Sequence, residues 1–160
     1  MNRLVKREKG FTLLEVLVAV FLLAVGLMSI TNMQMVAISG NKFAKDTSLM
    51  SKLAEEMIDR VRVNSGNLST LEGYDNIDTS AGCTGLADPV LGDCIQWKER
   101  LEGADFGILG SHGEVTIQMN TPSDFMTLVE VDVYWGGTNL VGVKSRSLKL
   151  ATVINTWGYK

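Results

Sequence analysis

The chain has 160 residues, of which 46% are hydrophobic, 21% charged and 7% aromatic, with a formal net charge of -3. That length supports one domain with an appendage and not two full cores. The ordinary composition excludes wholesale disorder and collagen-like or low-complexity architectures.

Residues 1–10 hold Arg3, Lys6, Arg7 and Lys9 against Glu8, a balance of +3. From Phe11 to Ile30 the chain reads FTLLEVLVAVFLLAVGLMSI, with Glu15 as its only charge. Twenty helical residues rise about 30 Å, the thickness of a bilayer's hydrocarbon core, which argues against a wholly cytosolic protein. Residues 31–160 hold eleven basic and sixteen acidic side chains, a balance of -5. Basic flanks stay cytoplasmic during insertion, so the first ten residues are expected inside and the remainder across the membrane. An acidic far side without a broad basic patch argues against nucleic-acid binding.

A cleaved secretory signal would need an apolar run of about 7 to 15 residues followed by a small-residue box. Here the run is longer, and Ala37-Ile38-Ser39 is only a weak box further on. An uncleaved anchor is the other simple reading. Neither accounts for Glu15, because a carboxylate near the centre of a bilayer helix costs roughly 2.5 to 3.5 kcal/mol and is usually paired.

GFTLLEVLVA, residues 10–19, resembles the processing and methylation motif of type IV prepilins and the related pseudopilins: a short basic leader ending in Gly, then Phe, then Glu at the fifth position. The resemblance implies cleavage between Gly10 and Phe11 by a prepilin peptidase on the cytoplasmic face, then N-methylation of Phe11. The leader, residues 1–10, leaves, while the transmembrane half of the helix, 11–30, stays. Such a cut creates a positive amine one helical turn from Glu15, and in a filament the family's Glu is thought to meet the amine of a neighbouring subunit. A buried carboxylate is costly alone and tolerable when paired, so the pair is expected to align subunits. The helix N-terminus adds a favourable partial charge at the same end.

Beyond Ile30, the residues Val36, Gly40, Phe43, Thr47, Met50, Ala54, Met57 and Val61 are spaced alternately four and three, and Leu49, Leu53 and Ile58 widen the stripe. Charged residues from Lys42 to Arg62, Asp46 among them, mostly flank it. This predicts an amphipathic half over residues 31–63, suited to packing on a sheet. With no Pro between Phe11 and Val63, one helix of about 50 residues, roughly 80 Å, is expected. The weak points are Gly26 and Gly40.

Residues 64–160 are expected to form a globular head. From Asn64 to Asp93 the chain is rich in Gly, Ser, Asn and Asp and reads as a long loop. Ten residues separate Cys83 from Cys94. An even cysteine count in an exported segment reads as a disulfide, worth about 3 kcal/mol in the chain-entropy model. The alternative, a zinc or redox pair, lacks CxxC spacing and a nearby His. Asp75, Asp78, Asp88 and Asp93 are either solvated turn-formers or calcium ligands, and no EF-hand pattern is present.

Asp93 is the expected cap of a short helix from Cys94 to Leu101. GADFGILGSHGE reads as a further loop, containing the lone His112. Strands are predicted over Glu114–Asn120, Met126–Trp135 and Leu140–Ile154, the last broken near Lys144. Pro122 marks one turn and Gly136-Gly137-Thr138-Asn139 a hairpin. Laid against the amphipathic half of the helix, an antiparallel sheet would bury both apolar faces. The fold class is therefore α+β, a long N-terminal helix on a small antiparallel sheet, which is also the type IV pilin architecture.

Within the family, Leu53-Ala54, Asp59-Arg60 and Arg62-Val63-Asn64, with CIQWKERL and EVDVYW further on, resemble the PilV-type minor pilins. The Cys pair lies in the middle loop, whereas major pilins often close a C-terminal region, a departure that favours a minor subunit. The Asp-Arg-x-Arg cluster also reads as a solvated salt-bridge network. The resemblance implies a minor pilin of the type IV pilus, acting in a priming or tip complex that promotes pilus assembly. Its partners would be the prepilin peptidase and methyltransferase, other minor pilins, the major pilin and the inner-membrane assembly platform. The implied location is the bacterial inner membrane, crossed once, and then the pilus and cell surface. The rival is a minor pseudopilin of type II secretion; an adhesin or DNA-uptake receptor at a pilus tip is a third reading. No triad, phosphate loop or metal spacing accompanies Ser111 and His112, so neither catalysis nor a cofactor nor a metal is expected.

Overall fold

A computed structural model describes residues 10–103, 110–136 and 146–156. The chain divides into two units, the first ending at Phe43 and the second beginning at Ala44. Helix α1 (Leu13–Asn64) contributes to both. The second unit continues with α2 (Leu68–Gly73), β1 (Ile77–Asp78), α3 (Val90–Glu102), β2 (His112–Met119), β3 (Met126–Trp135) and β4 (Arg146–Asn155). A long N-terminal helix with a four-stranded antiparallel sheet matches the α+β class read from the sequence.

Helix α1 starts two residues inside the apolar segment because Thr12 caps it. The Glu15 amide donates to Thr12 Oγ1 at 3.3 Å and to the Thr12 carbonyl at 3.1 Å. The helix runs through Gly26 and Gly40 without a break. Burial along it differs from the predicted stripe. Val36 and Phe43 are exposed, since the first unit offers no second described element to pack on. Burial begins at Asp46, which the sequence pattern had placed on the polar flank, and continues through Met50, Leu53, Ala54, Met57, Ile58 and Val61.

The sheet has the order β1-β2-β3-β4, every pair antiparallel. Strict alternation puts Thr127, Val129, Val131, Val133 and Trp135 of β3 on the buried face, with Val115 and Ile117 of β2 beside them. These side chains share one core with the α1 residues from Met50 to Val61. Edge strand β4 is less covered: Ile154 is buried, while Leu148 and Leu150 are half-buried.

Three segments depart from expectation. The 64–93 stretch is not a plain loop, for it contains α2, capped by Asn67 accepting the Ser69 amide at 2.9 Å, and the two-residue strand β1. Such short elements carry too few periodic residues to be legible. Helix α3 starts at Val90 and not Cys94, so Asp93 lies in its first turn and is not its cap; the cap position is Pro89, without a side-chain bond. His112 opens β2 and does not lie in a loop. The leader up to Lys9, the Gly137-Thr138-Asn139 part of the hairpin signal and the predicted strand start at Leu140 with its break near Lys144 lie outside the described residues, and β4 begins at Arg146.

One contact fixes how α3 lies between helix and sheet. Trp97 is fully buried, and its indole Nε1 donates to the Leu53 carbonyl of α1 at 3.0 Å. Its ring rests on Gly113 of β2, where an added Cβ would come within 2.1 Å of the ring. Gly113 is itself held by Thr79, whose Oγ1 accepts its amide at 2.8 Å. A methyl group there cannot be absorbed without moving the indole off Leu53. Gly113→Ala is therefore expected to destabilise the head by about 1–3 kcal/mol, read from chemical denaturation of the detergent-solubilised chain by tryptophan fluorescence; unchanged stability would contradict the Trp97 packing.

Candidate functional site

The N-terminal motif is built on the first turn of α1. Gly10 and Phe11 precede the helix, and Phe11 is 83% exposed. Thr12-Leu13-Leu14-Glu15 is a Thr-x-x-Glu pattern, the signature of a capping box, and Thr12 makes its half of it by accepting the Glu15 amide. The charge pattern points to Glu15 alone, whereas the Thr-x-x-Glu spacing is the local signal for Thr12. Glu15 is exposed, surrounded along α1 by exposed apolar side chains such as Leu14, Phe21, Leu22 and Leu23.

Three hydroxyls of this segment bond back to their own helix. Ser29 Oγ donates to the Val25 carbonyl at 3.1 Å, Thr31 Oγ1 to the Met28 carbonyl at 2.8 Å, and Ser39 Oγ to the Val36 carbonyl at 2.9 Å. Hydroxyls bonded back to their own helix can face hydrocarbon at low cost. Among the described residues, α1 is the one helix long and apolar enough to cross a membrane.

The second polar constellation closes the head. Arg60, at the end of α1, donates to Glu56 at 2.9 Å, Asp93 at 2.8 Å and Gln96 at 3.0 Å. The other Asp93 oxygen accepts from Asn64 at 2.9 Å and from the Tyr74 hydroxyl, and Asn64 also donates to Tyr74 at 2.8 Å. Arg100 pairs with Glu56. Burial alone would lower the Arg60 pKa, but its bonds to Glu56 and Asp93 outweigh this and raise it. Burial, reinforced by the bond to Asp93, pushes the Tyr74 hydroxyl well above its ordinary 10.0. The Asp-Arg-x-Arg cluster thus divides: Arg60 joins α1 to α3, while Arg62 and Asp59 form an exposed pair at 2.9 Å. No sequence signal pointed to Asn64 and Tyr74 as partners of Asp93, because they meet only through the tertiary fold.

Cys83 and Cys94 form a disulfide with a Cα–Cα distance of 5.8 Å. Cys94 follows Asp93, so the covalent link and the Asp93 cluster fasten the same turn of α3. Asp75 and Asp78 of the loop have separate tasks. Asp75 Oδ1 accepts the Ile117 amide at 2.9 Å, and Asp78 accepts the Ser80 hydroxyl at 2.6 Å, a bond that holds its carboxyl below the ordinary range. Ser111 Oγ donates to the Leu101 carbonyl at 2.7 Å, whereas His112 stacks on Tyr134, so the two neighbours face different partners.

An apolar N-terminal helix long enough to cross a membrane, led by Glu15 and followed by a disulfide-closed sheet domain, fits membrane anchoring. The family model for the prokaryotic N-terminal methylation motif matches residues 5–31. Motif and architecture together are those of a type IV pilin-like protein, a class of structural proteins whose motif implies processing by prepilin peptidase. No curated protein and no solved structure matches the chain.

The folded head holds Tyr74 protonated beyond its unfolded pKa of about 10, so its contribution to stability is complete below pH 10 and is lost as pH rises above it. Tyr74→Phe removes that ionisation. The variant is expected to be less stable at neutral pH, yet to show a shallower loss of stability above about pH 10. Denaturant midpoints across an alkaline pH series check this; parallel curves for the two proteins would contradict the assignment.

Proposed function

We propose that this chain is a minor pilin of the type IV pilus, made as a membrane-anchored precursor. The observation that carries the reading is the methylation motif at residues 5–31 continuing into an unbroken, exposed apolar helix. In this reading the basic leader stays in the cytoplasm, the first part of α1 spans the inner membrane once, and the head lies in the periplasm. Prepilin peptidase cuts between Gly10 and Phe11, and Phe11 is N-methylated. The subunit then joins other minor pilins in a priming or tip complex and reaches the cell surface with the major pilin.

Glu15 is the alignment residue of this proposal. Thr12 holds its backbone in the first turn, which keeps the carboxylate within a turn of the amine created at Phe11. A partner subunit's amine can take the same place, so correct register removes the cost of an unpaired charge in hydrocarbon. The PilV-type resemblance of the Asp59-Arg60 and Arg62-Val63-Asn64 segments, and a disulfide in the middle of the head, support a minor subunit over a major one.

Mass spectrometry of the protein from membranes and sheared pili tests the processing. The expected product begins at Phe11, carries one N-methyl group and retains the Cys83–Cys94 bond; a chain that begins elsewhere overturns the proposal. Glu15→Gln is expected to insert and be cleaved normally, yet to fall by about tenfold or more in sheared filaments. Deletion that abolishes secretion while pili remain intact would instead assign the chain to a type II secretion pseudopilus.

A further inference from the structure

Register fixes which backbone groups of the sheet face outward at its two edges. The Thr156 amide donates to the Phe125 carbonyl at 2.7 Å, directly opposite it in the antiparallel ladder. Bonds alternate along such a pair, so Leu148, Leu150, Thr152 and Ile154 of β4 turn their amides and carbonyls to β3, while Ser147, Lys149, Ala151 and Val153 turn theirs to the free edge. By the same alternation Gly113, Val115 and Ile117 of β2 face the other edge. That edge is closed. Val115 lies opposite Ile77 of β1, the Gly113 amide donates to Thr79 Oγ1 at 2.8 Å, the Thr79 amide to the Gly113 carbonyl at 3.0 Å, and the Ile117 amide to Asp75 Oδ1 at 2.9 Å.

The β4 edge has no such cover among the described residues. Ser147, Lys149, Ala151 and Val153 are all exposed, and no described group takes their amides or carbonyls. Folded proteins guard a long edge with Pro, a bulge, a short strand or a projecting charge. Strand β4 runs ten residues in unbroken register, without Pro or Gly. Its Lys149 is drawn across the outer face to Asp132 at 3.2 Å and Glu130 at 3.5 Å. On the inner face the core thins at the same place: Val131 and Val133 of β3 are fully buried, whereas Leu150 and Leu148 opposite them are half-buried.

We infer that the free edge of β4 accepts an added strand from another protein, an extended segment with apolar side chains at alternate positions. Amides and carbonyls recurring about every 7 Å along the edge are matched in full only by another extended backbone. The apolar row of that segment falls on the α1 side and covers Leu148 and Leu150. The chain's own end cannot serve, because residues 157–160 reach about 14 Å and β4 is about 33 Å long. A second copy is disfavoured as well. Its other edge is closed, and pairing β4 antiparallel with β4 turns one head end for end; α1 is reversed with it, which bars both chains from one membrane. Pairing the two strands parallel puts the leucines of the two copies on opposite faces. The choice of a foreign strand over a copy rests on membrane anchoring, whereas the open edge does not.

The test uses the full chain in a neutral detergent and, as probe, a ten-residue peptide of alternating Val and Thr, N-methylated on every second amide so that only one of its edges is free. Its control is the same peptide N-methylated throughout, with the side chains unchanged. The half-methylated peptide is expected to bind and to slow hydrogen exchange at the Lys149 and Ala151 amides, and the control to bind about tenfold or more weakly. Ala151→Pro removes one outward amide without touching the bonds to β3, so it should weaken binding to a similar extent while the melting temperature stays level. Leu150→Pro, whose amide faces β3, should lower the melting temperature. Equal binding of the two peptides, no binding, undiminished binding by Ala151→Pro, or self-association of the free chain through β4 overturns the proposal. Slow exchange at Lys149 and Ala151 in the free chain, or a fall in melting temperature for Ala151→Pro matching that of Leu150→Pro, also overturns it, since these amides would then be bonded already.

Discussion

A single helix cannot bury its own apolar surface, and the organisation of this protein follows from where that surface is covered. Over residues 13–43 of α1 it is exposed throughout, with hydroxyls bonded back to the helix and one carboxylate near its start. From Asp46 to Val61 the same helix closes the core of the head, sharing it with β2, β3 and α3. Exposed apolar area of the first kind has two stable environments, hydrocarbon and the matching surface of another subunit. A protein assembled out of a membrane uses both in turn, which is the physical content of the pilin-like reading.

Covering the second part of α1 requires that α3 and the sheet be held against it, and the chain does this with few contacts. Trp97 bonds to the Leu53 carbonyl on one side and presses on Gly113 on the other. Asp93 collects Arg60, Asn64 and Tyr74, and the adjacent Cys94 adds a covalent link to Cys83. The partly buried pairs matter more than the exposed ones, because Arg60 and Asp93 left apart would each be desolvated without compensation. Arg62 and Asp59, half or more exposed, carry little of this load. The sheet thereby differs on its two faces: mostly aliphatic inward, and with charged side chains and the stacked His112–Tyr134 pair outward.

The legibility of each element tracked its length and periodicity. Fifty residues without Pro and a ten-residue alternation are long signals, and α1 and β3 lie where the pattern put them, the latter at Met126–Trp135. The six-residue α2 and two-residue β1 repeat too few times to show a period, so the 64–93 stretch read as loop. Asp93 misled for a different reason. An aspartate before an apolar run is a common cap, but here a partly buried guanidinium competes for the carboxylate and the helix begins a turn earlier. Thr12 is legible from its local Thr-x-x-Glu spacing, since the Glu15 amide it accepts lies one turn away.

The sequence by itself determined the membrane-length helix, the methylation motif around Gly10, Phe11 and Glu15, and the alternation that makes an antiparallel sheet. These are one-dimensional properties: length, spacing and period. Only the tertiary structure decided that Asp46 is buried while Val36 and Phe43 are not, that Tyr74 and Asn64 meet Asp93, and that His112 stacks on Tyr134. Each of these depends on what lies opposite a residue in space, and residues distant along the chain become neighbours only when helix, loop and strands close on one core.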